Sequence, residues 1–213
     1  MLVGDITSKK LITLTVKDGV SKAFELMRTN NIRHIPVLTG KKLVGIVTNT
    51  DLRQVIALSK SKGSEEQYCF MSKVSTVEEI MTRDPITVTL KTDVEEAARL
   101  LQGHKIGGLP VVEGDELVGM ITETDILGVF IEIMGVIKYS SKVDVILGES
   151  ADAFQNVSQI IRENGAEIIS VGMSAHDEKQ KRVYYFRLDT DDIGLIAKAI
   201  EENGYEVTSV VGG

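Results

Sequence analysis

Only one cysteine, Cys69, occurs among 213 residues. A single thiol excludes an internal disulfide, and without a second cysteine or clustered histidines it argues against a structural metal. Long apolar runs are missing as well. Nothing approaches the roughly 18 residues a membrane helix needs, and the most apolar helical stretch, Phe130 to Ile137, is too short to span. The chain opens Met1-Leu2-Val3-Gly4-Asp5, with no basic region followed by an apolar one, so no signal peptide and a cytoplasmic location are expected. Positive charge is in deficit too. A net charge of -7, with acids spread along the chain, disfavours nucleic acid and anionic membranes as partners, although a local basic patch could still serve a phosphate.

The usual chemical constellations are also lacking. His34, His104 and His176 fall on unrelated elements, no Ser or Cys has a motif-placed base, and no glycine-rich loop leads from a strand into a helix. The expectation is a protein that is not an enzyme, with no metal and no cofactor. Three close acids, Glu113, Asp115 and Glu116, read as a solvated hairpin face rather than an ion site.

What the chain does have is a duplication. Laid on residues 75–130 at an offset of 74, residues 1–56 match at 20 of 56 positions without a gap. Gly45-Ile46-Val47-Thr48-Asn49-Thr50-Asp51 is thereby the twin of Gly119-Met120-Ile121-Thr122-Glu123-Thr124-Asp125. Repeats of this size stabilise one another by stacking, so small paired domains are expected. Within the first copy, Ile12 to Val16 alternates as a strand, and Val20, Ala23, Phe24 and Met27 mark a helix that Asp18 or Ser21 could cap. Two strands follow, Ile35 to Leu38 and Leu43 to Val47, around a turn at Gly40; Pro36 demands an edge or a bulge. In the second copy Thr76 to Glu79 and Thr92 to Glu95 both have capping-box spacing.

The polar, aperiodic stretch 57–74 reads as a linker. Residues 138–213 are different again: strands at 142–147, 168–173, 183–188 and 207–211 alternate with helices marked by Phe154, Val157, Ile160 and Ile161 and by Ile193, Ile196, Ala197 and Ile200. This βαββαβ order is a ferredoxin-like split βαβ. The domain layout expected is 1–58, a linker 59–74, 75–137 with a connecting helix, and 138–213, in an α/β (α+β) chain.

The twin Thr-x-x-Asp segments stand where a strand gives way to a helix N-terminus, with free backbone N–H groups. An Asp there can accept from two vicinal ribose hydroxyls and a Thr can donate to a phosphate. The plainer reading is that Thr and Asp simply cap the helix.

Ile32-Arg33-His34-Ile35-Pro36-Val37 with Leu43 to Asp51, and Ile106-Gly107-Gly108-Leu109-Pro110-Val111 with Leu117 to Asp125, resemble a tandem pair of CBS domains; Glu79-Ile80-Met81-Thr82 before Pro85-Ile86-Thr87-Val88 matches the start of that module. The resemblance implies two sheet-packed modules enclosing two clefts for an adenosine-containing nucleotide of the AMP, ADP or ATP class. One cleft would use Thr122 and Asp125 with Arg33 and His34, the other Thr48 and Asp51 with Gly107 and Gly108. Thr7 and Met81 at the start of each unit would help to enclose the base. The carboxy-terminal portion resembles an ACT domain, and the whole order resembles the acetoin-utilisation regulatory family. That implies a regulatory sensor, a homodimer through edge strands, and an unidentified regulated enzyme. The alternatives are a dimerisation scaffold without nucleotide, or a sensor of S-adenosylmethionine, NAD or a dinucleotide.

Overall fold

The computed structural model describes residues 1–59, 67–70, 75–136, 140–148, 151–175 and 182–213. Two compact units divide it, Met1–Ile126 and Leu127–Gly213. The first contains α1 (Val3–Ile6), β1 (Leu14–Thr15), α2 (Val20–Asn30), β2 (His34–Thr39), β3 (Lys42–Thr48), α3 (Asn49–Val55), β4 (Ile56–Ser59) and β5 (Gln67–Phe70). After a 3-10 turn at Val77–Glu79 come β6 (Thr82–Arg83), α4 (Val94–His104), β7 (Gly108–Glu113), β8 (Glu116–Thr122) and α5 (Glu123–Ile133), a helix that continues into the second unit. One sheet runs β1-β2-β3-β8-β7, with β6 added to β3.

Each repeat builds the same hairpin from the same punctuation. Gly40 and Gly114 both take φ of 62°, the left-handed value a tight turn requires and glycine accepts without strain. Beyond each strand proline the ladder slips by one residue, between Val37 and Leu38 and between Val111 and Val112. The bulge anticipated at Pro36 is therefore present, although β2 lies inside the sheet between β1 and β3. Helices α2 and α4 bury Val20, Ala23 and Met27, and Val94, Ala97 and Leu101, the faces their apolar spacing marks.

Their caps differ from expectation. Asp18 turns back to accept from the Thr15 backbone N–H and hydroxyl, so α2 starts after Gly19. The Thr92 hydroxyl accepts from the Thr89 N–H instead of the α4 backbone, and no box forms with Glu95. In both places a tight turn just ahead of the helix claims the polar side chain first. At Thr76 the box does form, with Glu79 accepting from the Thr76 N–H at 2.9 Å.

The repeats exchange their leading segments. Val3 and Ile6 pack in the core of the second repeat with Val88, Ala97, Leu101, Leu109, Val111 and Ile121. Val77, Ile80 and Met81 pack in the core of the first, with Leu14, Ala23, Ile35, Val47 and Leu52. The backbone follows the same rule: Ser8 bridges Met120, while Thr82 and Arg83 pair with Ile46 and Gly45. A glycine receives each crossing segment. A Cβ on Gly119 would stand 2.5 Å from Thr7 Oγ1, and one on Gly45 2.5 Å from Met81 Sδ.

Within 57–74, expected to be a linker, β4 and β5 pair as an antiparallel ribbon through Ile56↔Phe70 to Ser59↔Gln67. Ile56-Ala57-Leu58-Ser59 and Gln67-Tyr68-Cys69-Phe70 do not alternate apolar with polar, so neither carries the period of two that marks a strand. Residues 60–66 and 71–74 of that stretch lie outside the described residues, as do Ile137, Glu149, Ser150 and residues 176–181 with His176.

The second unit continues with β9 (Ser141–Leu147), α6 (Ala151–Glu163), β10 (Glu167–Ala175), β11 (Arg182–Asp189), α7 (Ile193–Glu202) and β12 (Glu206–Val211). Its antiparallel sheet is ordered β10-β11-β9-β12, the split βαβ arrangement. Val143, Val145, Phe186 and Leu188 from the sheet meet Val157, Ile161, Ile196 and Ile200 from the two helices. Gly165 and Gly204, at φ of 81° and 85°, close those helices. Among the described residues no helix is long and apolar enough to cross a membrane.

Candidate functional site

The twin Thr-x-x-Asp segments fold alike. Asp51 Oδ2 accepts from the Thr48 backbone N–H and from its hydroxyl, both at 2.8 Å, while the Asp51 N–H donates back to Thr48 Oγ1 at 3.3 Å. At Thr122 and Asp125 the same three bonds measure 2.8, 2.7 and 3.4 Å. Each Thr hydroxyl has one proton, and here it goes to the Asp rather than outward. Oδ2 of each Asp is thereby engaged; Oδ1 has no hydrogen bond among the described residues.

β2 pairs with β3 so that His34 lies opposite Thr48, and β7 with β8 so that Gly108 lies opposite Thr122. Arg33 is anchored next door, its carbonyl accepting from Asn49 N–H at 2.9 Å, as the Gly107 carbonyl does from Glu123 N–H at 3.2 Å. A cavity of about 300 Å³ opens where the first repeat faces the end of β8. Arg33, His34, Asn31, Ile32 and Pro36 form one wall, Met120, Thr122, Thr124 and Asp125 another, and Ser8, Lys10, Leu11 and Ile12 the crossing strap. Thus four expected residues, Arg33, His34, Thr122 and Asp125, meet around one space.

Thr7 and Met81 do not line it. Thr7 is buried against Gly119 and donates its hydroxyl to the Met120 carbonyl at 2.8 Å, and Met81 sits in the first repeat's core. Ser8, Lys10, Asn31 and Thr124 also line the cavity, although none is among the site residues that the resemblance implies. Lys10 had a signal, as half of a Lys9-Lys10 pair in an acidic chain; the others had none.

His34 also reaches the twin half. A Cβ on Gly107 would lie 2.9 Å from its ring, and one on Gly108 3.3 Å, so the imidazole occupies space that only glycines leave open. Burial holds the His34 pKa below its ordinary value; the Arg33 charge adds to this, while Glu123 and Asp51 oppose it. A His whose folded pKa is depressed binds protons better when unfolded, so its stabilising share is complete above the ordinary value and is lost as pH falls below about 6.5. The melting temperature should therefore drop more steeply from pH 8 to pH 5 in the wild type than in His34→Gln. Equal slopes would show that another group carries the acid sensitivity.

The hairpin acids are otherwise engaged: Lys41 pairs with Glu116 at 2.9 Å and Lys42 with Asp115 at 2.8 Å, exposed contacts of small energy that join the two hairpin tips. Among the described residues no group of three or more His, Cys, Asp or Glu is placed to hold a metal.

The CBS domain profile matches residues 3–58 and 77–132. A CBS domain-containing protein of Dictyostelium discoideum is 30% identical over 136 residues, covering 63% of this chain and 94% of that protein. The inosine-5'-monophosphate dehydrogenase of Korarchaeum cryptofilum is 37% identical over 119 residues, 55% of this chain but only 22% of the dehydrogenase. The chain thus spans about a fifth of that enzyme's length. Among solved structures, the CBS domain pair of protein MJ0100 in complex with 5'-methylthioadenosine and S-adenosyl-L-methionine superposes with a TM-score of 0.52 at 32% identity, over 61% of this chain and 95% of that one. A protein from Vibrio cholerae assigned to acetoin utilization, AcuB, gives 0.52 at 31%, over 64% and 94%. CBSX2 in complex with AMP gives 0.50 at 28%, over 62% and 97%. With a duplicated sequence, two exchanged repeats and these matches, the chain belongs to the CBS domain family and carries a pair of its domains.

Proposed function

We propose that this chain is a non-catalytic regulatory sensor whose CBS pair binds an adenosine-containing nucleotide in the cavity between Arg33-His34 and Thr122-Asp125. The observation that carries the reading is the convergence there of an Asp with a free carboxylate oxygen, the Arg33 guanidinium, the His34 imidazole and an apolar wall. Asp125 Oδ1 accepts from the ribose hydroxyls, Thr122 orients the carboxylate, Arg33 and His34 take the phosphate, and Ile12 and Ile32 cover the base. Complexes of related CBS pairs with AMP and with S-adenosylmethionine support an adenosyl ligand.

Regulation requires that the ligand bind two arrangements of the pair unequally, since equal binding shifts nothing. A coupling of roughly 1 to 3 kcal/mol is typical. Helix α5 begins at the Thr122 site and carries the chain into the second unit, which we assign to an ACT-like role, with dimerisation through its edge strands. The same geometry favours one other reading: Thr48-Asp51 and Thr122-Asp125 form complete capping boxes, so a scaffold without ligand would need nothing more.

Calorimetric titration of AMP, ADP, ATP, NAD and S-adenosylmethionine into the wild type and the double variant Asp51→Ala, Asp125→Ala separates the two. Binding lost in the variant identifies the sensor and its ligand; a wild type that binds none of them is a scaffold.

A further inference from the structure

The two repeats form equivalent cap geometry, but they do not supply equivalent charge. In the cavity beside Thr122 and Asp125, Lys10 and Arg33 face a single carboxylate. Shifted by 74 residues, Lys10 becomes Asp84 and Arg33 becomes Gly107. The vacancy at Gly107 is not neutral: a Cβ there would lie 3.6 Å from Glu123 Oε2, whereas the twin of Glu123 is the uncharged Asn49. By the same 74-residue correspondence, the strap and strand facing Thr48 and Asp51 carry Asp84 in place of Lys10 and Lys105 in place of Asn31, and Glu123 and Asp51 both act on His34. His34 leans over this same Gly107-Gly108 wall.

We infer that duplication has left one phosphate-competent cleft: the chain takes a single nucleoside phosphate, at Thr122-Asp125, with Lys10 as a second cationic phosphate ligand beside Arg33, and the Thr48-Asp51 cleft rejects phosphate by its acidic surroundings. This rests on the proposed nucleotide-binding role and adds to it the charge class and the number of ligands. A phosphate chain bearing several negative charges gains from two nearby cations and is repelled by carboxylates at similar range; in partly exposed sites such terms shift affinity rather than abolish it. Lys10 is exposed and hydrogen-bonds to nothing among the described residues, so replacing it leaves the fold intact.

The test is calorimetric titration of ATP into three proteins: wild type, Lys10→Glu, and the pair Asp84→Lys, Glu123→Gln. The wild type should bind one ATP per chain, Lys10→Glu should weaken it about tenfold, and the paired variant should take up a second ATP. Two ATP per chain of like affinity in the wild type, a Lys10→Glu affinity within twofold of it, or a paired variant still at one ATP would each overturn the inference while leaving the sensor reading in place. If the wild type binds no adenosyl compound at all, the sensor reading falls first and this inference with it.

Discussion

Asp125→Asn is expected to lower nucleotide affinity about a hundredfold while moving the melting temperature by no more than about 2 °C. The carboxamide oxygen can replace Asp125 Oδ2 as acceptor for the Thr122 N–H and hydroxyl, so the cap on α5 survives. The remaining atom changes from a charged acceptor to an NH2 donor, which cannot receive two ribose hydroxyls. Losing charge-assisted hydrogen bonds of this kind costs roughly 1.5 to 3 kcal/mol each. Asp51→Asn is the internal control, with the same cap chemistry in the acidic cleft and little effect on binding of a nucleoside phosphate. Calorimetry for affinity and thermal melting for stability, run on both variants, read the two roles separately. Should Asp125→Asn bind as the wild type does, the twin Thr and Asp are caps and nothing else.

The largest expected effect on stability is at Gly119. Gly119→Val should cost about 3 kcal/mol, because the new side chain starts 2.5 Å from Thr7 Oγ1, 3.1 Å from its Cγ2 and 3.3 Å from Val111 Cβ. Thr7 cannot step aside, being buried and tied to the Met120 carbonyl. Thr7→Ala alone should cost about 1 kcal/mol for the lost hydrogen bond, yet in combination with Gly119→Val it should relieve the clash. The double variant is then more stable than the sum of the singles by at least about 1 kcal/mol in urea titrations. Gly45→Val meets Met81 instead, an unbranched and adaptable side chain, and should cost less. Strict additivity of Thr7→Ala and Gly119→Val would mean that the crossing segment does not bear on β8 as described.

These two residues also show where the amino-acid sequence speaks and where it is silent. The offset between Thr48-Asp51 and Thr122-Asp125 announces the duplication, the hairpin glycines locate the turns, and apolar spacing picks out Val20, Ala23 and Met27, and Ile193, Ile196 and Ile200, as buried faces. All are local signals, written within a few residues of one another. Thr7 and Met81 carry no such signal, because what determines their place is a glycine in the other repeat. Lys10 enters the cavity for the same reason: its segment crosses from one repeat's core to the other's. The capping side chains at Asp18 and Thr92 mislead in the opposite way, since two local motifs compete for one oxygen and spacing does not say which wins.

The exchanged leading segments set an order of assembly during synthesis. The Thr7 hydroxyl finds its acceptor 113 residues later, at Met120. At the usual 5 to 20 residues per second, the ribosome delivers that strand roughly 6 to 23 s after the segment that needs it. Until then Val3 and Ile6 have no core to enter, whereas the first repeat receives Val77 and Met81 well before β8 is made. All the residues of the first repeat's core are thus made by residue 81, and the second core is the last to be completed, when β8 arrives to meet Val3 and Ile6.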